Sequence, residues 1–431
     1  MRLPNGIAGE PADFGSRGID GAQQLRHYRV MARSTIANPL LSEADEALQM
    51  QMRAFLECEL APRALAIEGR QDWDALKAAV RAVGAAGYLR LMFRDQYQGP
   101  LADPGLTHAV LLSEEAAYVN YAFETTLASA LSCAYALHGH GSESVRRKFL
   151  PALLDGAQVG AICVTEANVG CDTSAMQTRI GFDALRGEWL IDGHKRYISN
   201  AAVADCYIVY GITDAQLPAR QGMSAVLVPH GTAGLSFPRR HSFMGRRGCV
   251  VGEVLLDGCR VPQDHLLGER NQGFDIMLGM FNFERILLGG AALGVARSAF
   301  DIAGAHAQGR IAFGAPLGAK QLIWDKIAEM SWRLDAAALL VYRAAKLYDQ
   351  GLRGKALMKQ AAMAKLVASQ VAQHCADSTV QVLGGDGLTE EYGRAEQIYR
   401  DARALTIVGG TSEMAKYLIA GRDLPDIRLD L

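Results

Sequence analysis

The sequence predicts an α+β multidomain chain: a helical N-terminal domain, a middle β-barrel or sandwich domain, and a C-terminal four-helix bundle. Three observations carry this prediction. Apolar residues recur at helical spacing over 42–156, short Val-, Ile- and Tyr-rich runs separated by glycines fill 157–270, and the helical period returns over 271–431. A switch of period from about 3.6 to 2 and back is what a sheet domain placed between helical ones produces.

Taken in order, residues 1–41 mix Gly, Pro, Ser and scattered charge without either period, which predicts an extension that is mobile or ordered only by a neighbour. The helical domain is expected over 42–156. Ser42 and Asp45 have the spacing of a capping box, so a helix should run from there towards Pro62, with others around 72–86, 107–138 and 143–154. In the middle domain, WLIDGHKRYI (189–198) sets Asp192-Gly193 between two strand-like arms and predicts a tight hairpin there. CYIVYGI, MSAVLVPHG and CVVGEVLLDGCRVP continue the strand pattern. In the last domain Ile323, Ile327, Met330, Leu334, Val341 and Ala345 share one stripe of a long helix, and a second begins near Gly354 and stops at Gly384-Gly385.

Composition excludes several classes of function. Half of the 431 residues are hydrophobic, enough for a sizeable core. With 44 basic and 46 acidic residues the net charge is -2, and no global field selects nucleic acid or an anionic membrane. No run of about 18 apolar residues predicts a membrane span, and the start lacks the basic-then-apolar layout of a secretory signal, so a cytoplasmic location is expected. The eight cysteines are scattered, without CxxC pairs or His partners at zinc spacing, and predict reduced, mostly buried thiols and no metal site. HExxH, GxSxG and GxxxxGK[ST] are absent. GGAALG (289–294) has no strand before it and predicts close helix packing, not a dinucleotide loop.

Two places carry chemistry. In LTIVGGTSEMAK (405–416), Gly409 and Gly410 break a helical pattern, as a backbone lying against a ligand would, yet neither can move a proton. Glu284 can. Its helical neighbours at three, four and seven residues are Phe281, Met280, Met277, Leu287, Leu288 and Ala291, all apolar. A carboxyl on such a face has its neutral form favoured and its pKa raised into the range of a general base. The competing reading is a structural carboxylate paired with a buried arginine; Arg285, next in sequence, points elsewhere on a helix.

AICVTEANVGCD (161–172), KRYISN (195–200), RIAFGAPLGAKQ (310–321), QVLGGDG (381–387), YRDAR (399–403) and GGTSEM (409–414) occur in register over residues 42–425, and together the chain resembles the acyl-CoA dehydrogenases. FNFER and VGGTSEM also resemble crotonobetainyl-CoA reductase, which runs the reaction in the other direction. The resemblance implies FAD between the β domain and the C-terminal helices. Val164 and Thr165 match positions that bond the flavin ring, with Gly170 beside them. Tyr197 matches an aromatic packed on the ring, and Ser199 a hydroxyl donor to it. Arg310, Phe313 and Gln321 match residues that reach the adenosine diphosphate half of an FAD bound mainly by another subunit, and Gln381 and Gly385 match its pyrophosphate contacts. A homodimer or homotetramer is therefore implied.

The resemblance also places Thr411 and Glu413 at the cofactor and Cys171, Asn282, Arg285 and Gly409 at the substrate. Many members carry the catalytic glutamate at the position of Gly409; in isovaleryl- and long-chain-type members it sits on an earlier helix, at the position of Glu284. Glu413 is the rival base, held ionised in the first turn of a helix. Cys171 stands where the family usually has serine and Ala167 where it has proline. The implied reaction is α,β-dehydrogenation of an acyl-CoA, with electrons passed to an electron-transferring flavoprotein. The alternatives are an acyl group on a carrier protein, an enoyl-CoA reductase, and an FAD-binding module without catalysis.

Overall fold

A computed structural model describes residues 38–70, 72–101 and 103–427. Apart from 38–41, the extension expected at the N-terminus lies outside the described residues. The first helices are α1 (Glu43–Glu59), α2 (Trp73–Ala85), α3 (Leu106–Val119), α4 (Tyr121–His140) and α5 (Glu143–Leu154). The capping box forms: Asp45 N–H donates to Ser42 Oγ at 3.2 Å and Ser42 N–H to Asp45 Oδ2 at 3.0 Å. The helix expected over 107–138 is two, because Asn120 leaves the helical region (φ -159) and its side chain accepts from Phe123 N–H to cap α4.

Eight strands follow: β1 (Gly160–Cys163), β2 (Arg179–Asp183), β3 (Glu188–Ser199), β4 (Cys206–Ile212), β5 (Met223–Pro229), β6 (Leu235–Ser236), β7 (Val251–Pro262) and β8 (Leu266–Leu267). They form one mixed sheet in the order β6-β7-β3-β2-β4-β5-β8, with β1 pairing parallel to β4. β4 is buried along its whole length because its residues alternate between two cores. Tyr207 and Val209 join the cluster of Trp189, Val226 and Val254, while Ile208 and Tyr210 join the helices.

The hairpin expected at Asp192-Gly193 is not there. Those residues lie inside β3, and the turn falls earlier, over Asp183–Gly187, where Asp183 O accepts from Arg186 and Gly187 N–H. Gly193 serves close approach instead: a Cβ would stand 2.3 Å from Thr178 Oγ1.

The last domain holds α6 (Gly273–Gly309), a small ladder of β9 (Ile311–Ala312) and β10 (Ala315–Pro316), α7 (Gln321–Asp349), α8 (Gly354–Leu383), α9 (Ala395–Leu405) and α10 (Ser412–Asp423). α6 is the central rod. It is the one described helix long and apolar enough to cross a membrane, and it is buried among α3, α7 and α8 as a core helix. GGAALG packs as expected: a Cβ on Gly290 would meet Val110 O at 2.8 Å and one on Gly294 would meet Glu114 O at 2.1 Å, so α3 and α6 touch backbone to backbone. Buried Glu115 binds Arg53 of α1 at 2.8 Å and Arg297 of α6 at 2.9 Å, tying three helices together.

Candidate active site

Glu284 is half-buried on α6, with Met277, Met280, Leu287, Leu288 and Ala291 buried around it. Burial pushes its carboxyl up, while the charges of Arg285, Lys365 and Arg246 pull it back. The arginine next to it does not neutralise it by contact. Arg285 Nε donates to Gly409 O at 3.1 Å, Nη1 donates to Asn282 Oδ1 at 3.3 Å, and the guanidinium lies 5.5 Å from the Phe281 ring centroid. Asn282 in turn donates to Gly354 O at 3.0 Å.

The 409–411 turn lies against this group. Gly409 (φ 67) and Gly410 (φ 100) occupy the left-handed region, where glycine has no steric cost. Their carbonyls are pinned by two buried cations, Gly409 O by Arg285 and Gly410 O by Lys365 Nζ at 2.6 Å. Among the described residues neither glycine N–H has an acceptor, so both are free to donate to a ligand. Burial and the charge of Arg285 push the Lys365 ammonium down to about 8. A glutamate at 409 would have to displace Leu288: a Cβ would sit 2.4 Å from its Cδ1. The Thr411 side chain accepts from Met414 N–H and caps α10. Glu413 is exposed in that first turn, and its own N–H and the Thr411 hydroxyl hold its carboxyl below the usual range. Cys171, exposed, places Sγ 4.0 Å from Thr411 Oγ1.

The β domain supplies a second wall. Pairing of β3 with β7 slips between Lys195 and Ile198, and Tyr197 takes φ 57, a strained value for a bulky residue. Its ring stays 51% exposed, with the His241 ring 4.8 Å away and Phe243 beyond it. Ser199 ends the strand, half-buried. Val164 and Thr165 are latched beside it: Lys195 Nζ donates to Val164 O at 3.2 Å and to Glu166 Oε1 at 2.8 Å, and Arg196 N–H donates to Thr165 O at 2.8 Å. Lys195 and Glu166 are both buried, so Lys195→Met leaves a carboxylate without its partner. The expected loss is about 3–5 kcal/mol of unfolding free energy, measured by denaturant titration, with FAD released more readily than from the unaltered protein.

An exposed aromatic ring, free peptide donors and an open face at Gly170, where a Cβ would meet nothing within 4 Å, fit a flat polar-edged ring such as the flavin of FAD. The structure does not bring the remaining expected cofactor residues to this place. Arg310 is 26 residues from Glu284, roughly 39 Å along a helix. It stands exposed with Phe313 (96% exposed, φ 52) and Gln321, while Gln381 and Gly385 are exposed at the end of α8. His306 lies within the fields of both Arg310 and Asp386.

Sequence reasoning missed His241, Phe243, Arg246, Lys365 and Glu124. Lys365 and Glu124 carried a weaker form of the signal that exposed Glu284, a lone charge among mostly apolar helical neighbours; the three loop residues carried none.

Family models described as the N-terminal, middle and C-terminal domains of acyl-CoA dehydrogenase match residues 42–157, 161–259 and 271–424. The chain is 34% identical over 390 residues to the short-chain specific acyl-CoA dehydrogenase of Homo sapiens mitochondria, covering 90% of this chain and 92% of that one. It is 32% identical over 387 residues to glutaryl-CoA dehydrogenase of Desulfococcus multivorans, covering 88% and 96%. The solved butyryl-CoA dehydrogenase of Megasphaera elsdenii superposes with a TM-score of 0.84 at 30% identity, covering 89% of this chain and 99% of the other. With all three domain models matched in order and the fold shared from end to end, the chain belongs to the acyl-CoA dehydrogenase family, an FAD-binding family of oxidoreductases.

Proposed function

We propose that this chain catalyses α,β-dehydrogenation of an acyl-CoA with Glu284 as the base. The observation that carries the reading is a carboxylate on an apolar helix face that, among the described residues, is unpaired by contact, beside a turn whose Gly409 and Gly410 N–H groups have no acceptor there. FAD, held at Val164, Thr165, Tyr197 and Ser199, supplies the hydride acceptor when bound. Glu284 accepts the α proton as the β hydrogen leaves with its electron pair, and the Cα–Cβ double bond forms. Charge building on the thioester oxygen is met by the Gly409 N–H, and the following peptide is fixed by Arg285 at the Gly409 carbonyl. Met277, Met280 and Leu287 keep water from the carboxylate and so keep it basic.

Arg310, Phe313, Gln321, Gln381 and Gly385 serve an FAD bound mainly by a second copy, so the working unit is a homo-oligomer. Exposed Ile311, Leu322 and Trp324 beside them support this as apolar surface in need of cover. Electrons leave to an electron-transferring flavoprotein, as the family resemblance implies. The test is anaerobic mixing of FAD-loaded protein with a panel of acyl-CoAs: dehydrogenation bleaches the flavin absorbance, and an unchanged spectrum across the panel removes the reading. Because burial raises the Glu284 pKa, the base is lost as pH falls through a midpoint above the usual glutamate range. The bleaching rate should therefore climb with pH through that midpoint; a flat profile across it contradicts Glu284 as base.

A further inference from the structure

Two buried polar groups near Glu284 take no part in the chemistry above, and each has an atom with nothing to bond. Arg246 lies in the loop between β6 and β7, 5% exposed, in the left-handed region at φ 54. Its backbone is pinned there: its N–H donates to Asp401 Oδ1 at 2.6 Å and its carbonyl accepts from Cys249 N–H at 2.9 Å. The guanidinium lies 5.2 Å from the Phe243 centroid, and among the described residues it has neither a hydrogen-bond acceptor nor an ion-pair partner; Nε is wholly buried. Its charge acts on Glu284, Glu124 and Tyr121, so it faces the base from the side of α4.

Glu124 does not balance that charge. It is 1% exposed, with Oε2 unpartnered and Oε1 2.5 Å from Ser113 Oγ. Ser113 Oγ is also 3.0 Å from Leu287 O, one turn beyond Glu284 on α6. A serine has one hydroxyl proton. Both contacts are hydrogen bonds when Ser113 donates to the Leu287 carbonyl and a protonated Glu124 donates to Ser113. Burial pushes the Glu124 carboxyl up to about 8, in keeping with that proton count. Glu284 is then shared as a counter-charge by Arg246, Arg285 and Lys365, and Lys365 has Glu413 besides. Arg285 and Lys365 each have a carbonyl to bind; Arg246 has none. A buried guanidinium without a partner is costly, and the cost is recovered when an anion arrives with the ligand.

We propose that Arg246 is a specificity-determining residue that receives a carboxylate at the far end of the acyl group, so that the substrate class is ω-carboxyacyl thioesters. This rests on the reading of Glu284 as the base beside the acyl chain. A methyl-ended chain would leave the guanidinium desolvated and unpaired, and an ammonium-ended one would meet its like charge; a carboxylate accepts from its planar fork.

The test uses FAD-loaded full-length protein and pairs of acyl-CoAs of equal chain length, one ending in methyl and one in carboxylate. Bleaching rates give selectivity, and calorimetry on the Glu284→Gln protein gives binding without turnover. The carboxylated member should be preferred about tenfold or more, the ratio expected of one added charged contact. Arg246→Met should erase or reverse that preference in both measurements, while Arg246→Lys keeps part of it. FAD content checks that each variant folds, and the unaltered protein and the lysine variant decide the matter if the methionine one does not. A preference for the methyl-ended member in the unaltered protein, or a ratio untouched by Arg246→Met, overturns the proposal. If no acyl-CoA bleaches the flavin, the dehydrogenase reading falls, and the binding ratio still decides on Arg246: tighter carboxylate binding lost in Arg246→Met supports it, and equal binding overturns it.

Discussion

Glu284→Gln is expected to bind FAD and fold normally while its flavin bleaching by acyl-CoA slows by about 10²–10⁴-fold or more, the usual reach of a positioned general base. Glutamine has the shape of glutamate but cannot accept the α proton. The fold should not suffer, because the carboxylate makes no contact that glutamine would break, and Arg285 and Lys365 keep their carbonyl acceptors. The sign of the stability change follows from the raised pKa. A carboxyl whose folded-state pKa lies above its unfolded value costs stability once pH exceeds the unfolded value, and the cost grows until pH passes the folded one. The melting temperature of the glutamine variant should therefore equal or exceed that of the unaltered protein near neutral pH. Near-normal bleaching by this variant would end the assignment of Glu284.

Restoring a glutamate where many relatives carry it should fail. In the double variant Glu284→Gln, Gly409→Glu, the new Cβ would lie 2.4 Å from Leu288 Cδ1, and the backbone would have to hold φ 67 with a side chain attached. The left-handed backbone costs about 1–3 kcal/mol, and overpacking against buried Leu288 adds a cost of about 1–3 kcal/mol. The expected outcome is a lower melting temperature with no recovery of bleaching. Adding Leu288→Ala opens the space, and the triple variant should regain part of the rate. Full recovery in the double variant would show that Leu288 moves aside freely, and with it that the site tolerates either location of the base.

Where one short segment decides an outcome, the sequence was readable. The Ser42–Asp45 cap, the α8 stop at Gly384 and the packing glycines of α6 all follow from local rules. Asp192-Gly193 misled because its glycine answers to Thr178, a residue 15 positions away across the sheet. The true turn over Asp183–Gly187 lacks a strong dipeptide signal. In the site, Glu284 was legible because its face is uniformly apolar. Lys365 offered similar evidence, with Ala361, Ala362 and Ala368 as buried apolar helical neighbours and Ser369 as the polar exception. Arg246 offered nothing local: its importance depends on what α4, α6 and its own loop leave unbonded when they meet, and no periodicity encodes that.

The backbone contact of α3 with Gly290 and Gly294 bears on how a substrate could enter. Two main chains in contact without intervening side chains cannot slide or tilt without collision, so the base is mounted on a stationary post. Because Arg285 and Lys365 tie the glycine turn to that same post and to α8, the side left to yield to a thioester is the aromatic lip of the sheet.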